Sequence, residues 1–313
     1  LVAFIIAFAG SIQDIAIDAY RIESAKLEDQ GNLAAGYQFG YRLAILVGSS
    51  LALIYAANFS WSLTYQLMSL VMALNIICSI YISSETENSE LVQLNYKQSI
   101  IEPINDFFSR FGIKMASILL LIIATYRLTD IVMGPMANPF YIDMGYSLSE
   151  IGYVVKVVAL IATIVGVFFG GFLIKRFGLY SSLLIGGLLV MLTNLCFSYA
   201  AINEKNLILL ASIVASDSLA AGIVGTVNIT FLTSLVSSKY TGFQYALLTS
   251  LMAFLGKIFG GFSGVLVENF QNLYGFSYGW MSFYIFTSLL AIPAILIIFF
   301  NKNFFIAKYV KDN

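Results

Sequence analysis

Histidine is missing from all 313 residues. Its absence removes the side chain that titrates near neutral pH and the commonest metal ligand. Any proton this chain carries must therefore ride on a carboxylate. Cysteine occurs only twice, as Cys78 and Cys196, far apart in apolar runs. That spacing suits neither a disulfide nor a metal site, and both are expected as small core hydrophobes. Charge is scarce: 11% of residues are Asp, Glu, Lys or Arg, against about 25% in a soluble domain. A net charge of −1 gives no footprint for nucleic acid. There is no GxxxxGK(S/T) loop for a nucleotide and no GxSxG elbow for a nucleophile. No metal-ligand cluster and no long catalytic loop stands out either. The chain thus reads as a non-enzyme, with no catalytic residues, no cofactor and no metal. No cleavable signal peptide is visible.

What is abundant is apolar length. Hydrophobic residues make up 59% of the chain. They fall in nine runs, roughly 1–21, 33–57, 61–82, 112–141, 150–174, 180–201, 206–235, 240–267 and 279–301. These runs are too long, and alternate too little, for outer-membrane strands. The expected fold class is an all-α polytopic membrane protein. Gly134, Pro135 and Pro139 predict a break near the end of the fourth run. Glycines 166, 170 and 171, and 256, 260, 261 and 264, predict close helix contacts. Gly222 and Gly225 suggest a bend in the seventh run.

One connection differs from the others. Residues 83–111 begin polar and acidic, then place Ile100, Ile101, Ile104, Phe107, Phe108 and Phe111 at helical spacing. This predicts an amphipathic helix at the membrane surface, linking two bundles. The expected units are 1–82, the linker 83–111, a six-helix bundle over 112–301 and a tail over 302–313. If the halves are repeats, three further helices are expected ahead of residue 1.

Positive charge gives an orientation. With the end of the first run in the cytoplasm, that side holds Arg21, Lys26, Lys97, Arg110, Lys114, Lys175, Arg176, Lys239, Lys302, Lys308 and Lys311. The opposite side holds Lys205. The C-terminus is then cytoplasmic. Inside the runs stand Arg42, Arg127, Lys156 and Lys257, facing Asp14, Asp18, Asp130 and Asp217. Uncompensated charge is costly in hydrocarbon, so pairing is expected. At about 1.5 Å per residue, matching depths pair Asp14 with Arg42, Asp217 with Lys257, and Asp130 with Lys156. Arg127 also lies one turn from Asp130. Such pairs can serve transport, or can do no more than specify helix packing.

Asp14 and Asp18 share one helix face in the stretch Phe8–Glu23, with Arg21 one turn on. The segment SIQDIAIDAYRIE (Ser11–Glu23) resembles the signature S-x-Q-D-I-x-x-D-A of the AmpG muropeptide permeases, and more distantly the acetyl-CoA transporters. GGFLIKRFG (Gly170–Gly178) resembles the loop signature of the major facilitator superfamily, with Lys175 where an acid is common. GYRL (Gly40–Leu43), DFFSRFG (Asp106–Gly112), YRLTD (Tyr126–Asp130), VVK with ATIVG (Val154–Gly166) and FQYALLTSL (Phe243–Leu251) follow in family order. Arg127 stands where a lysine is usual and keeps the charge. By this resemblance the chain carries helices 4–12 of a twelve-helix fold, about nine in all.

The resemblance implies a monomeric secondary transporter in the bacterial inner membrane. It would import anhydro-muropeptides from periplasm to cytoplasm with protons, for peptidoglycan recycling. Its partners would be that small solute, protons and the bilayer. The alternatives are an inactive or truncated paralogue and a transporter of another solute, similar to the acetyl-CoA carriers. The proton-coupling candidates are Asp130 and Asp217, with Asp14 and Asp18 as gate or packing residues. Gln13, Tyr126, Asn228 and Gln244 are the candidate substrate contacts.

Overall fold

A computed structural model of the chain describes residues 2–83 and 95–305, and every regular element in them is helical. Among the described residues, seven helical stretches are long and apolar enough to cross a membrane: Val2–Glu23, Trp61–Tyr81, Gln98–Asp143, Ala159–Ala201, Leu207–Leu235, Thr241–Tyr274 and Phe276–Phe300. Backbone amides have no water to bond in hydrocarbon, which is why these apolar runs become helices. The chain divides into two compact units, residues 1–38 with 100–313, and residues 39–99.

In the first unit, α1 (Val2–Glu23) leads through a short 3₁₀ turn into the start of α2 (Gln30–Ile45). The rest of α2, a π-helical turn at Leu46–Leu51, α3 (Ala52–Asn58) and α4 (Trp61–Ser83) lie in the second unit. The run expected over 33–57 is therefore interrupted by the π turn.

Back in the first unit, α5 (Tyr96–Tyr126) turns at Gly112, whose φ of 70° suits glycine. Its first half is helical, with Phe107 buried and Phe108 and Phe111 packed beside it, while residues 84–94 of the expected linker lie outside the described residues. The break expected at Gly134–Pro139 comes earlier. The helix stops at Tyr126, Arg127 is non-helical, and α6 (Leu128–Asp143) carries both prolines inside it. Ser263 Oγ donates to Val132 O at 2.6 Å and ties this stretch to a neighbouring helix.

The short α7 (Leu148–Tyr153) has a capping box at Ser147 and Glu150. Lys205 Nζ lies 2.8 Å from Glu150 Oε2. The Lys205 ammonium, then the Ser147 backbone N–H and hydroxyl, hold the Glu150 carboxyl down to about 2. A π turn at Val154–Val158 leads into α8 (Ala159–Ala201), which turns at Gly178, φ 76°. That turn separates the runs expected over 150–174 and 180–201.

The remaining helices are α9 (Leu207–Leu235), α10 (Thr241–Gly261), α11 (Ser263–Tyr274), α12 (Phe276–Leu289) and α13 (Ile292–Phe300). α9 is helical without interruption through Gly222 and Gly225. Gly222 instead lets α8 approach: a Cβ on it would strike the Thr163 carbonyl and, at 2.8 Å, the Val167 nitrogen. Gly166 and Gly170 do the same for the Leu219 and Ile223 carbonyls of α9. Gly256 and Gly260 receive Ile131 of α6, whereas Gly261 meets open space.

Cys78 and Cys196 are free, and both are exposed rather than in the core. The lipid-facing side of a membrane helix is itself apolar, so apolar surroundings in sequence do not separate core from periphery.

Candidate functional site

Three elements bring carboxylates and their partners together inside the first unit. At the α5–α6 junction, Arg127 Nη2 lies 3.5 Å from Asp130 Oδ2. The pair forms because the helix break at Arg127 lets its side chain return along the first turn of α6. On α9, Asp217 Oδ1 accepts from Thr193 Oγ1 of α8 at 3.1 Å. Asp130 and Asp217 are close enough for their charges to interact, and Tyr141 and Tyr284 share the field of Asp217. Tyr284 is fully buried, and among the described residues its hydroxyl has no hydrogen-bond partner. The floor of this site is aromatic: Phe140, Phe197, Trp280 and Tyr284 pack edge and face, with Phe140 and Tyr284 centroids 4.9 Å apart.

The matching depths of the sequence did not produce all the expected ion pairs. Asp130 meets Arg127, its neighbour along the chain. Asp217 meets a hydroxyl, and Lys257 stands exposed on α10 with no ion pair to Asp217 among the described residues. The Lys156 side chain lies outside the described residues. Asp14 belongs to the first unit and Arg42 to the second, so their pairing remains a proposal.

A second cluster sits at the basic end of α1. Arg21 is 6% exposed. Its Nη1 donates to Gln30 Oε1 at 3.3 Å and its Nη2 to Thr233 Oγ1 at 3.2 Å. Asp18 Oδ1 lies 3.7 Å from Nη2. The guanidinium also faces the rings of Tyr37 and Tyr245, at 5.4 and 5.3 Å from their centroids. Gln30 is itself pinned, donating to Ile22 O and Ala25 O. This cluster joins α1, α2, α9 and α10. Asp14 and Gln13, higher on α1, are exposed.

The substrate candidates divide. Tyr126 is buried and donates to Leu183 O at 3.0 Å, across to α8. Asn228 is buried with its Nδ2 on Met252 Sδ at 3.2 Å, and its Oδ1 has no partner among the described residues. A buried carbonyl of that kind is an open acceptor for water or solute. Gln244 has spent its amide on protein. Nε2 donates to Pro103 O and Asp106 Oδ2 at 2.8 and 2.9 Å. Oε1 accepts from Ser237 N and Arg110 Nη2 at 2.7 and 2.9 Å. No hydrogen-bonding position is left for a solute, and Gln244 is a strut between α5 and α10.

Thr193, Tyr284, Tyr141 and Gln30 were missed from sequence. A signal for the first existed: Thr193 and Asn194 interrupt the run LLVML–LCF on α8. Asn194 Oδ1 accepts from Thr287 Oγ1 at 2.8 Å, so the same interruption also ties α8 to α12.

Residues 1–261 match the model of the Major Facilitator Superfamily. A Rickettsia felis transporter named AmpG 4 is 31% identical over 303 residues, covering 95% of this chain and 70% of that relative. AmpG 1 of Rickettsia bellii is 29% identical over 307 residues, covering 96% and 73%. The anhydromuropeptide permease of Escherichia coli K12 is 31% identical over 314 residues, and the match spans 99% of this chain but 61% of that permease. Three pairs within the strings that carried the resemblance are found in contact: Asp18 with Arg21, Asp106 with Arg110, and Arg127 with Asp130. The chain belongs to the major facilitator superfamily, among the AmpG-like multi-pass membrane transporters.

Proposed function

We propose that the chain is the greater part of a monomeric, proton-coupled importer of anhydromuropeptides in the bacterial inner membrane. The observation that carries the coupling is the nearness of Asp130 and Asp217 in an apolar, aromatic surround. Among the described residues they differ in one respect. Asp130 has a guanidinium 3.5 Å away, while Asp217 has a hydroxyl. A carboxylate with a fixed cation beside it favours its charged form, and one with a neutral partner exchanges a proton at lower cost. Asp217 is therefore the carrier, and Asp130, with Arg127 3.5 Å away, is the carboxylate that acts on it through charge. With no nucleotide loop and no histidine, the ion gradient is the available driving force.

The solute comes from the name of the Escherichia coli relative. The orientation, with the C-terminus in the cytoplasm, comes from the basic residues clustered at the Arg21 end. Asn228 Oδ1 offers the solute an acceptor. The experiment is uptake of a labelled anhydromuropeptide into vesicles with an imposed pH gradient. Wild type should concentrate the label, and Asp217→Asn and Asp130→Asn should lose concentrative uptake. Accumulation that survives collapse of the gradient would sink the coupling. Proton-driven uptake of other solutes but not of the muropeptide would leave the coupling and replace the substrate.

A further inference from the structure

Thr193 Oγ1 stands at a fork. It lies 3.1 Å from Asp217 Oδ1 and 3.1 Å from the Val190 carbonyl, one turn back on its own helix. A hydroxyl has one hydrogen to donate and lone pairs with which to accept. It cannot donate to both oxygens fully at once. Which one it serves depends on whether Asp217 holds a proton.

When Asp217 is ionised, its oxygen can only accept, and the Thr193 hydrogen turns to it. When Asp217 is protonated, the carboxyl O–H donates to Thr193 Oγ1, and the Thr193 hydrogen turns to Val190 O. Both states are fully bonded, with a rotation of one O–H bond between them. No heavy atom has to move. The transported proton comes from solvent and returns to it, and Thr193 keeps its own hydrogen throughout. A buried polar group left without a partner would cost about 1–3 kcal/mol, so a partner able to serve both states lowers the cost of the exchange.

The surroundings make this partner matter. Thr193 is 5% exposed, which limits replacement of its hydroxyl by bulk water. The charged and titratable groups facing Asp217 are Asp130 and Tyr141 of α6, with Arg127 held by Asp130, and Tyr284 of α12. Asp130 has Arg127 Nη2 3.5 Å away, and among the described residues Arg127 Nε and the Tyr284 hydroxyl have no hydrogen-bond partner.

We propose that Thr193 is the positioning residue for proton exchange at Asp217, its hydroxyl turning between the Asp217 carboxyl and the Val190 carbonyl as the proton leaves and returns. The inference rests on the proton-coupling reading above, and the test separates the two. Protein in lipid nanodiscs is titrated by infrared spectroscopy, reading the C=O stretch of protonated carboxyls. Asp217→Asn assigns the band. Thr193→Val removes the hydroxyl at nearly constant shape, Thr193→Ala removes it without bulk should valine pack badly, and Thr193→Ser keeps it.

The expected result is a band lost in D217N, moved in frequency and in titration midpoint by about half a pH unit or more in the hydroxyl-free variants, and restored in T193S. A merely structural threonine would leave the band in place. A band lost in D217N but superimposable on wild type in T193V and T193A overturns the role of Thr193 and leaves coupling through Asp217 standing. A band unchanged in D217N shows that Asp217 holds no exchangeable proton, and overturns both.

Discussion

Arg21 of α1 donates to Thr233 of α9 at 3.2 Å, across 212 positions of sequence. The guanidinium reaches α2 through Gln30 and rests on the ring of Tyr245 on α10. One buried cation thus holds α1 against the two helices that face it. Nearby, Gly242 of α10 comes close enough to α1 that a Cβ there would lie 3.2 Å from Ile15 Cγ2. A permease that opens alternately at its two ends must break such a latch once in each cycle.

Replacing Arg21 should loosen that latch. Hydrogen bonds to a charged group contribute about 1.5–3 kcal/mol, which corresponds to about tenfold or more in the open population. The measurement is the labelling rate of Thr241→Cys by a water-soluble maleimide, after the exposed Cys78 and Cys196 are changed to serine. Arg21→Gln should label about tenfold faster than the parent. Arg21→Lys should fall between them, because an ammonium lacks the planar fork that meets Gln30 and Thr233 together. Equal rates in all three would mean that Arg21 does not hold this end shut.

Glycine contacts between α8 and α9 give a prediction about stability. A methyl on Gly166 would strike the Leu219 carbonyl, a backbone atom that cannot swing aside. Gly166→Ala should therefore cost about 1–3 kcal/mol. At Gly264 the nearest atom to an added methyl is Met136 Cε at 3.9 Å. Gly264→Ala should be neutral, or stabilise by up to about 1 kcal/mol through helix propensity. Thermal unfolding in detergent compares the two, and equal losses would contradict the close packing of α8 on α9.

The fold was legible because apolar length and charge scarcity leave few options for a chain of this kind. The family was legible from local strings, and so were the contacts that lie within one turn: Asp18 with Arg21, and Arg127 with Asp130. Contacts between helices were not. Depth alone paired Asp217 with Lys257, but rotation about the helix axis decides which way each side chain points. Lys257 turns outward, where a long stem can carry its charge to the interface. The same rotation exposed Cys196 and buried Thr193 on α8. Proline misplaced the break in α6 because a membrane helix can accept proline inside it, as α6 does at Pro135 and Pro139.

Gln244 carries the last prediction. It was expected at the solute, and the structure makes it the pin between α10 and the amphipathic half of α5. Its amide uses all its hydrogen-bonding positions on Pro103, Asp106, Arg110 and Ser237. Arg110 depends on the same contact, bonding Asp106 and Leu235 O alongside Gln244. Gln244→Leu removes every one of these bonds at a site only 2% exposed. The loss should be about 1–3 kcal/mol for each buried partner left unsatisfied, softened where water can enter. Trypsin should then cut after Arg110 faster than in the parent, and the thermal midpoint should fall. Gln244→Glu tests the chemistry at constant size. It keeps the acceptor toward Ser237 and Arg110 but sets a carboxylate where the amide nitrogen lay 2.9 Å from Asp106 Oδ2. It too should loosen the helix, because the donor toward Asp106 is replaced by an acceptor. A Gln244→Leu protein with wild-type melting and proteolysis but weakened solute uptake would return Gln244 to the solute.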